Sequence, residues 1–226
     1  MNKQIKQQAK DILKADYITI LIASTILTAI NALASYINTN FSASIVSGLL
    51  TTAATACFAL FYFKAFNRGK GQLSDIFSPL TDKTNLPKFL IIFVIMYLID
   101  TAIAKLTLML DAIPIAGVAI SLVLVFFVTF MLRIVWFLFA ANPQRPVSHY
   151  FKGSAEYMSS NIIEILVFNF TITFFPAFIV SLTGVFAGEL VETIVSIPIN
   201  AYVNLALAGL YAHIIPNQWH DSADEF

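Results

Sequence analysis

A chain of 226 residues with 58% apolar side chains, 12% charged ones and a mean hydropathy of +0.80 is too oily for a water-soluble domain, where those fractions are about half and about a quarter. Its 13 basic and 13 acidic residues cancel to a formal charge of +0. That balance excludes nucleic acid as a partner, because phosphate backbones require a clustered basic excess. The single cysteine, Cys57, lies in an apolar run and excludes an intrachain disulfide and a thiolate metal cage.

The first element is amphipathic. Ile5, Ala9, Ile12 and Leu13 share one helical face, opposite Lys3, Lys6, Lys10 and Lys14, the pattern of a helix lying among anionic lipid headgroups. Ala32, Leu33 and Ala34 imitate a signal-peptide cleavage site. The stretch before them, however, is long, carries Asp11 and Asp16 and keeps helical periodicity, so it reads as a retained helix followed by a span.

Six stretches reach the roughly 20 apolar residues needed to cross a hydrocarbon core as a helix: 18–36, 44–63, 89–110, 113–140, 162–183 and 190–215. Continuous runs such as SLVLVFFVTF at 121–130 lack the strict alternation of a membrane barrel. Between spans two and three, Arg68-Gly69-Lys70-Gly71 precedes a second amphipathic segment with Leu73, Ile76, Phe77 and Leu80. Between spans four and five, Pro146 precedes a third, with Val147, Tyr150, Phe151 and Met158. The basic residues Lys64, Arg68, Lys70, Lys83, Lys88, Arg145 and Lys152 all fall in or beside these connections, whereas 37–43, 111–112 and 184–189 hold none. Basic loops stay on the cytoplasmic side, which places both termini in the cytoplasm.

The expected fold is therefore all-α and membrane-integral: six transmembrane helices as three hairpins, each preceded by a cytoplasmic amphipathic helix, in a single domain over 1–226. Its three parts are 1–66, 67–141 and 142–226. Asn67, Asn142 and Asn217 recur at intervals of 75 residues (142 − 67 and 217 − 142). The segment openings rhyme as Lys10-Asp11-Ile12-Leu13, Ser74-Asp75-Ile76-Phe77 and Ser148-His149-Tyr150-Phe151. Three copies about a pseudo-threefold axis along the membrane normal would produce this; chance alignment of three asparagines is the other reading.

Several short motifs keep their order along nearly the whole chain. They are Ile5-Lys6-x-x-Ala9-Lys10-x-x-Leu13, then Arg68-Gly69 ahead of Leu73-x-x-Ile76-Phe77, and a Pro114 turn before a long span. Asn142-Pro143 follows, then Ser154-x-x-x-Met158 leading into Asn161-Ile162, and a last span ending Leu210-Tyr211. In this the chain resembles a family of bacterial multi-pass membrane proteins designated domain of unknown function 975. That family is distantly similar to membrane domains accompanying glycerophosphodiester phosphodiesterases. Pro114-Ile115 stands where such proteins often carry Pro-Gly. The resemblance implies six spans in a bacterial cytoplasmic membrane and supplies no activity.

Ionisable groups inside a membrane are costly and are the first candidates for function. At 1.5 Å per residue, Asp100 lies roughly 18 Å and Arg133 roughly 13 Å from the cytoplasmic ends of their spans, so the two are expected to approach each other. Glu164 is the alternative partner for Arg133. Asn169, Asn200 and Asn204 reach comparable depths, with Pro176 and Pro198 interrupting the last two spans. One reading is a polar cavity for a small or amphipathic ligand, lined by Asp100, Arg133, Glu164, Asn169, Asn200 and Asn204. The other is an ion pair with interhelical hydrogen bonds that only fix packing. Lys3, Lys6, Lys10, Lys14, Arg68 and Lys70 are assigned to lipid headgroups. No metal-ligand spacing among the three histidines, nucleophile elbow or nucleotide-binding loop is found, so no metal, cofactor or catalysis is expected. The partners expected are the bilayer, a ligand or a second membrane protein, and a structural or accessory role is the competing function.

Overall fold

The computed structural model of the chain describes residues 2–37, 41–110 and 116–215, which are helical with short turns and form no strand. The elements are α1 (Asn2–Ala15), α2 (Tyr17–Ile37), α3 (Phe41–Arg68), α4 (Ser74–Thr81), α5 (Leu86–Leu110), α6 (Ala116–Ala141), α7 (Val147–Ser160), α8 (Ile162–Asn169), α9 (Phe175–Ala187) and α10 (Glu189–Ile214). A π-helical turn, Phe170–Phe174, joins α8 to α9. Taking α8 to α9 as one run, the order reads short, long, long three times over. The Pro114 turn, Asn217 and His220 lie outside the described residues.

Five stretches are long and apolar enough to cross a membrane: Tyr17–Ile37, Ser44–Arg68, Leu86–Leu110, Ile162–Phe186 and Val191–Ile214. The remaining expected span corresponds to α6, a helix of 26 residues whose described apolar part is Phe130–Ala141. Large apolar side chains such as Leu98, Leu108, Phe178 and Phe186 face outward. A water-soluble protein avoids so much exposed oil, and a lipid-embedded one requires it.

The core lies toward one end, where α3, α6 and α10 pack on one another. Phe61, Phe63, Trp136, Leu138, Leu205 and Tyr211 are all buried there. Phe63 and Phe137 have ring centroids 5.5 Å apart, and Phe137 stacks on Tyr211 at 4.7 Å. These three aromatics recur at intervals of 74 residues (137 − 63 and 211 − 137). Each comes from the second long helix of its part.

Polar clips fasten the short helices to this same end. Arg68 Nη1 donates to Asp75 Oδ2 at 2.7 Å while Lys64 Nζ lies 3.6 Å from Asp75 Oδ1, tying α3 to α4. Between these helices Gly69 takes φ 72°, a left-handed value that glycine adopts without penalty. Gly71 N donates to Asp16 Oδ2 at 2.7 Å. Lys88 Nζ donates to the carbonyls of Pro143 and Gln144 at 3.2 and 2.7 Å, tying α5 to the α6–α7 turn. The buried Tyr150 hydroxyl shares its one hydrogen between the carbonyls of Asn142 and Arg145, 2.8 and 2.9 Å away, anchoring α7. Burial raises that hydroxyl above its ordinary pKa.

The apolar face of α1 is as expected, but protein covers it. Ile5, Ala9 and Ile12 are buried against the bundle, chiefly on α10. Gly209 makes the approach possible, since a Cβ there would meet the Phe66 ring and lie 2.8 Å from Ile5 Cγ2. By contrast α4 buries Ile76 and leaves Phe77 and Leu80 exposed, as is Leu73 just before it, the arrangement of an interfacial helix. Lys3, Lys10, Lys14 and Lys70 are exposed. Lys6 instead donates to Thr171 Oγ1 at 3.1 Å with its amine 5.7 Å from the Phe168 ring centroid, and Arg68 is held by Asp75. Two of the six cations assigned to headgroups are thus engaged within the protein.

Candidate functional site

Between α2, α3, α6, α10 and the π-helical turn lies a cavity of about 270 Å³. Its polar lining is Thr28 and Asn31 of α2, Thr55 and Tyr62 of α3, Arg133 of α6, Thr173 of the π turn, and Asn200 and Asn204 of α10. Counted from the end that carries the short helices, these residues span roughly 9 to 21 Å of helix rise, the middle of a hydrocarbon core about 30 Å thick. Phe58, Tyr62, Phe137 and Leu207, all buried, close the deep side. Asn31, Thr173 and Asn200 are exposed and form the mouth, on the side away from the short helices.

The structure brings three of the six expected ligand-binding residues together, since Arg133, Asn200 and Asn204 line this one cavity. Asp100 is not among its walls and does not pair with Arg133. It is exposed on α5, and no carboxylate among the described residues lies within ion-pair distance of Arg133. Matched depth fixes only height along the bundle; beyond Tyr97, α5 has no fully buried residue up to Leu110 and leaves its carboxylate outside. Glu164 also fails to reach Arg133. It stays in the first turn of α8, where the positive end of the helix dipole favours an acid.

Asn169 is buried beside Tyr211 rather than in the cavity wall. Its Nδ2 donates to the Ile165 carbonyl at 2.8 Å, while its Oδ1 and the Tyr211 hydroxyl are buried without hydrogen-bond partners. Tyr62 presents a similar case on the cavity wall: its hydroxyl, flanked by Ser24 and Asn204, completes a hydrogen bond with neither.

The two membrane prolines behave differently. Pro176 follows the π turn and, lacking an N–H, cannot close the regular ladder there; π turns are frequent at functional sites, and this one delivers Thr173 to the cavity. Pro198 stays inside an unbroken α10, beside the Ile197 carbonyl that accepts a hydrogen bond from Ser24 Oγ at 2.8 Å.

Tyr62, Thr28, Asn31, Thr55 and Thr173 were not anticipated. A signal existed for α2, because Ser24, Thr28 and Asn31 stand at i, i+4 and i+7 and draw a polar stripe on an otherwise apolar helix. Comparison with protein-family models, curated proteins and solved structures finds no match to this chain. Chemically, the cavity offers one guanidinium and several hydroxyl and amide groups, and its walls contain no acid among the described residues. An unpaired cation at such depth costs about 2.5–3.5 kcal/mol on insertion scales.

Proposed function

We propose that this chain is a six-span membrane protein of a bacterial cytoplasmic membrane, with both termini cytoplasmic, that binds or moves a small or amphipathic ligand through the cavity beside Arg133. It acts without catalysis or cofactor. The observation that carries the reading is the polar cavity itself, at mid-span depth and open on one side. Supporting the architecture are the short-long-long helix order, the restriction of basic loop residues to alternate connections, the aromatics at 74-residue intervals meeting in the core and the resemblance to the bacterial family named above. The three parts are read as copies about a pseudo-threefold axis.

The test fills the cavity. Purified protein is heated with short-chain diacyl lipids of different headgroups, and its melting temperature is recorded against that of Val203→Trp, which places an indole among the lining residues. At least one lipid should stabilise the parent and leave the variant unmoved. Equal responses of both proteins across the series refute a ligand site here.

A second reading, an accessory subunit for a partner membrane protein or for lipid organisation, has its own observation. Asp100 is exposed on a membrane-crossing helix, where a carboxylate facing lipid is expensive and a partner would relieve it. Cross-linking through Asp100→Cys in a Cys57→Ala background tests this; the absence of any adduct in native membranes removes it.

A further inference from the structure

Among the described residues, the walls of the cavity carry a single full charge, Arg133, and no carboxylate. Because no carboxylate among the described residues pairs with it, its charge is free to act on a ligand. The neighbouring groups are suited to the same task. Tyr62 lines the same wall and is only 2% exposed, its buried hydroxyl lying beside Ser24 and Asn204. Asn200 and Asn204 add amide donors one turn apart on α10. A cation would meet repulsion from Arg133 with no acid to offset it, and a wholly apolar molecule would strand these polar groups.

Size narrows the class further. A cavity of about 150 Å³ accommodates benzene, so about 270 Å³ holds on the order of ten non-hydrogen atoms, enough for an oxyanion and a short linker. The mouth lies at mid-span depth. Beside it, on the same π turn as Thr173, the rings of Phe170 and Phe174 are exposed and stacked at 4.8 Å, an apolar platform for a hydrocarbon tail.

We infer that the cavity takes the phosphate or carboxylate head of an anionic amphiphile, with Arg133 as its charge partner and Asn200 and Asn204 as hydrogen-bond donors. This inference rests on the reading of the cavity as a ligand site. The same oxyanion chemistry belongs to a lipid headgroup and to a free ion, and the experiment separates them.

Calorimetric titration of the full chain in an uncharged detergent would use three probes: dihexanoyl phosphatidylglycerol, dihexanoylglycerol of the same chains without phosphate, and inorganic phosphate. Phosphatidylglycerol should bind at least about tenfold more tightly than dihexanoylglycerol, the effect of one hydrogen bond to a charged group. Arg133→Gln should abolish that preference and Arg133→Lys should keep most of it. If inorganic phosphate alone binds as tightly, through Arg133, the source is a free ion; if it does not, the source is a lipid head. Equal binding of the two lipids by the parent chain overturns the anion inference even where Arg133→Gln fails to fold. If that equal binding is lost in Val203→Trp, the cavity remains a ligand site. Absence of binding by all three probes overturns both readings.

Discussion

Replacing Gly209 tests why α1 is docked on the bundle instead of floating on lipid. Ile5 and Ile12 are 6% and 5% exposed, and burying an isoleucine fully is worth about 1.5–3 kcal/mol. These two side chains therefore contribute at most about 3–6 kcal/mol to docking, an upper bound for the pair because a released α1 recovers part of that burial against lipid or within a compact unfolded ensemble. A methyl at Gly209 lies 2.8 Å from Ile5 Cγ2 and overlaps the Phe66 ring. Overpacking of that size costs about 1–3 kcal/mol, partly offset by the roughly 1 kcal/mol that alanine gains over glycine in a helix. Gly209→Ala should thus shift α1 without releasing it. Gly209→Leu adds three further carbons where no space exists and should free the helix.

Limited trypsin digestion in detergent, read by mass spectrometry, reports the outcome at Lys6, Lys10 and Lys14, because cleavage tracks the population of the opened segment. Each 1.4 kcal/mol lost from docking raises that population about tenfold. Cleavage within α1 should accelerate at least that much for Gly209→Leu and by a smaller factor for Gly209→Ala. A folded Gly209→Leu protein digested at the parent rate would show that Gly209 does not govern the docking of α1.

Asp75 is 7% exposed and faces two cations. Removing one partner of a fully buried pair costs about 3–5 kcal/mol, but the Arg68 side chain is 45% exposed, so solvent screening reduces the expected loss for Asp75→Asn to about 1–2 kcal/mol. That corresponds to a fall of about 2–8 °C in Tm for a chain of this size, and an unchanged Tm would remove the clip from the account of stability. For Tyr150, burial raises the hydroxyl above its ordinary value of 10.0. Its share of stability is therefore complete below about pH 10 and is lost as pH climbs through the raised value. Tyr150→Phe should make alkaline unfolding less steep in pH, and identical alkaline curves would exclude the effect.

Five of the six expected spans were legible because an apolar run of twenty residues is a one-dimensional signal, set by bilayer thickness before any packing is considered. What packs against what is not one-dimensional. The face of Ile5, Ala9 and Ile12 states only that it needs cover, and lipid or α10 satisfies the same periodicity. Depth likewise paired Asp100 with Arg133, yet the bundle gives each helix an azimuth as well as a height, and α5 turns its acid outward. Arg133, Asn200 and Asn204 were found together because α6 and α10 are two of the three helices that make the core.

The third such helix, α3, shows what the asparagines at 75-residue intervals only hinted. Asn67 is exposed and Asn142 buried, so those two do not play equivalent parts, and loop positions shift readily by a residue. The buried aromatics at 74-residue intervals, Phe63, Phe137 and Tyr211, do meet. One helical turn away from them, Ala59, Arg133 and Leu207 hold the same interval, and all three line the cavity. Equivalent positions converging on one place is what copies about a common axis produce, which supports the proposed repeat. At that convergence two of the parts contribute an apolar side chain and one a guanidinium. On the proposed repeat, the site would arise where the three parts differ, at the one position that gives the cavity its charge.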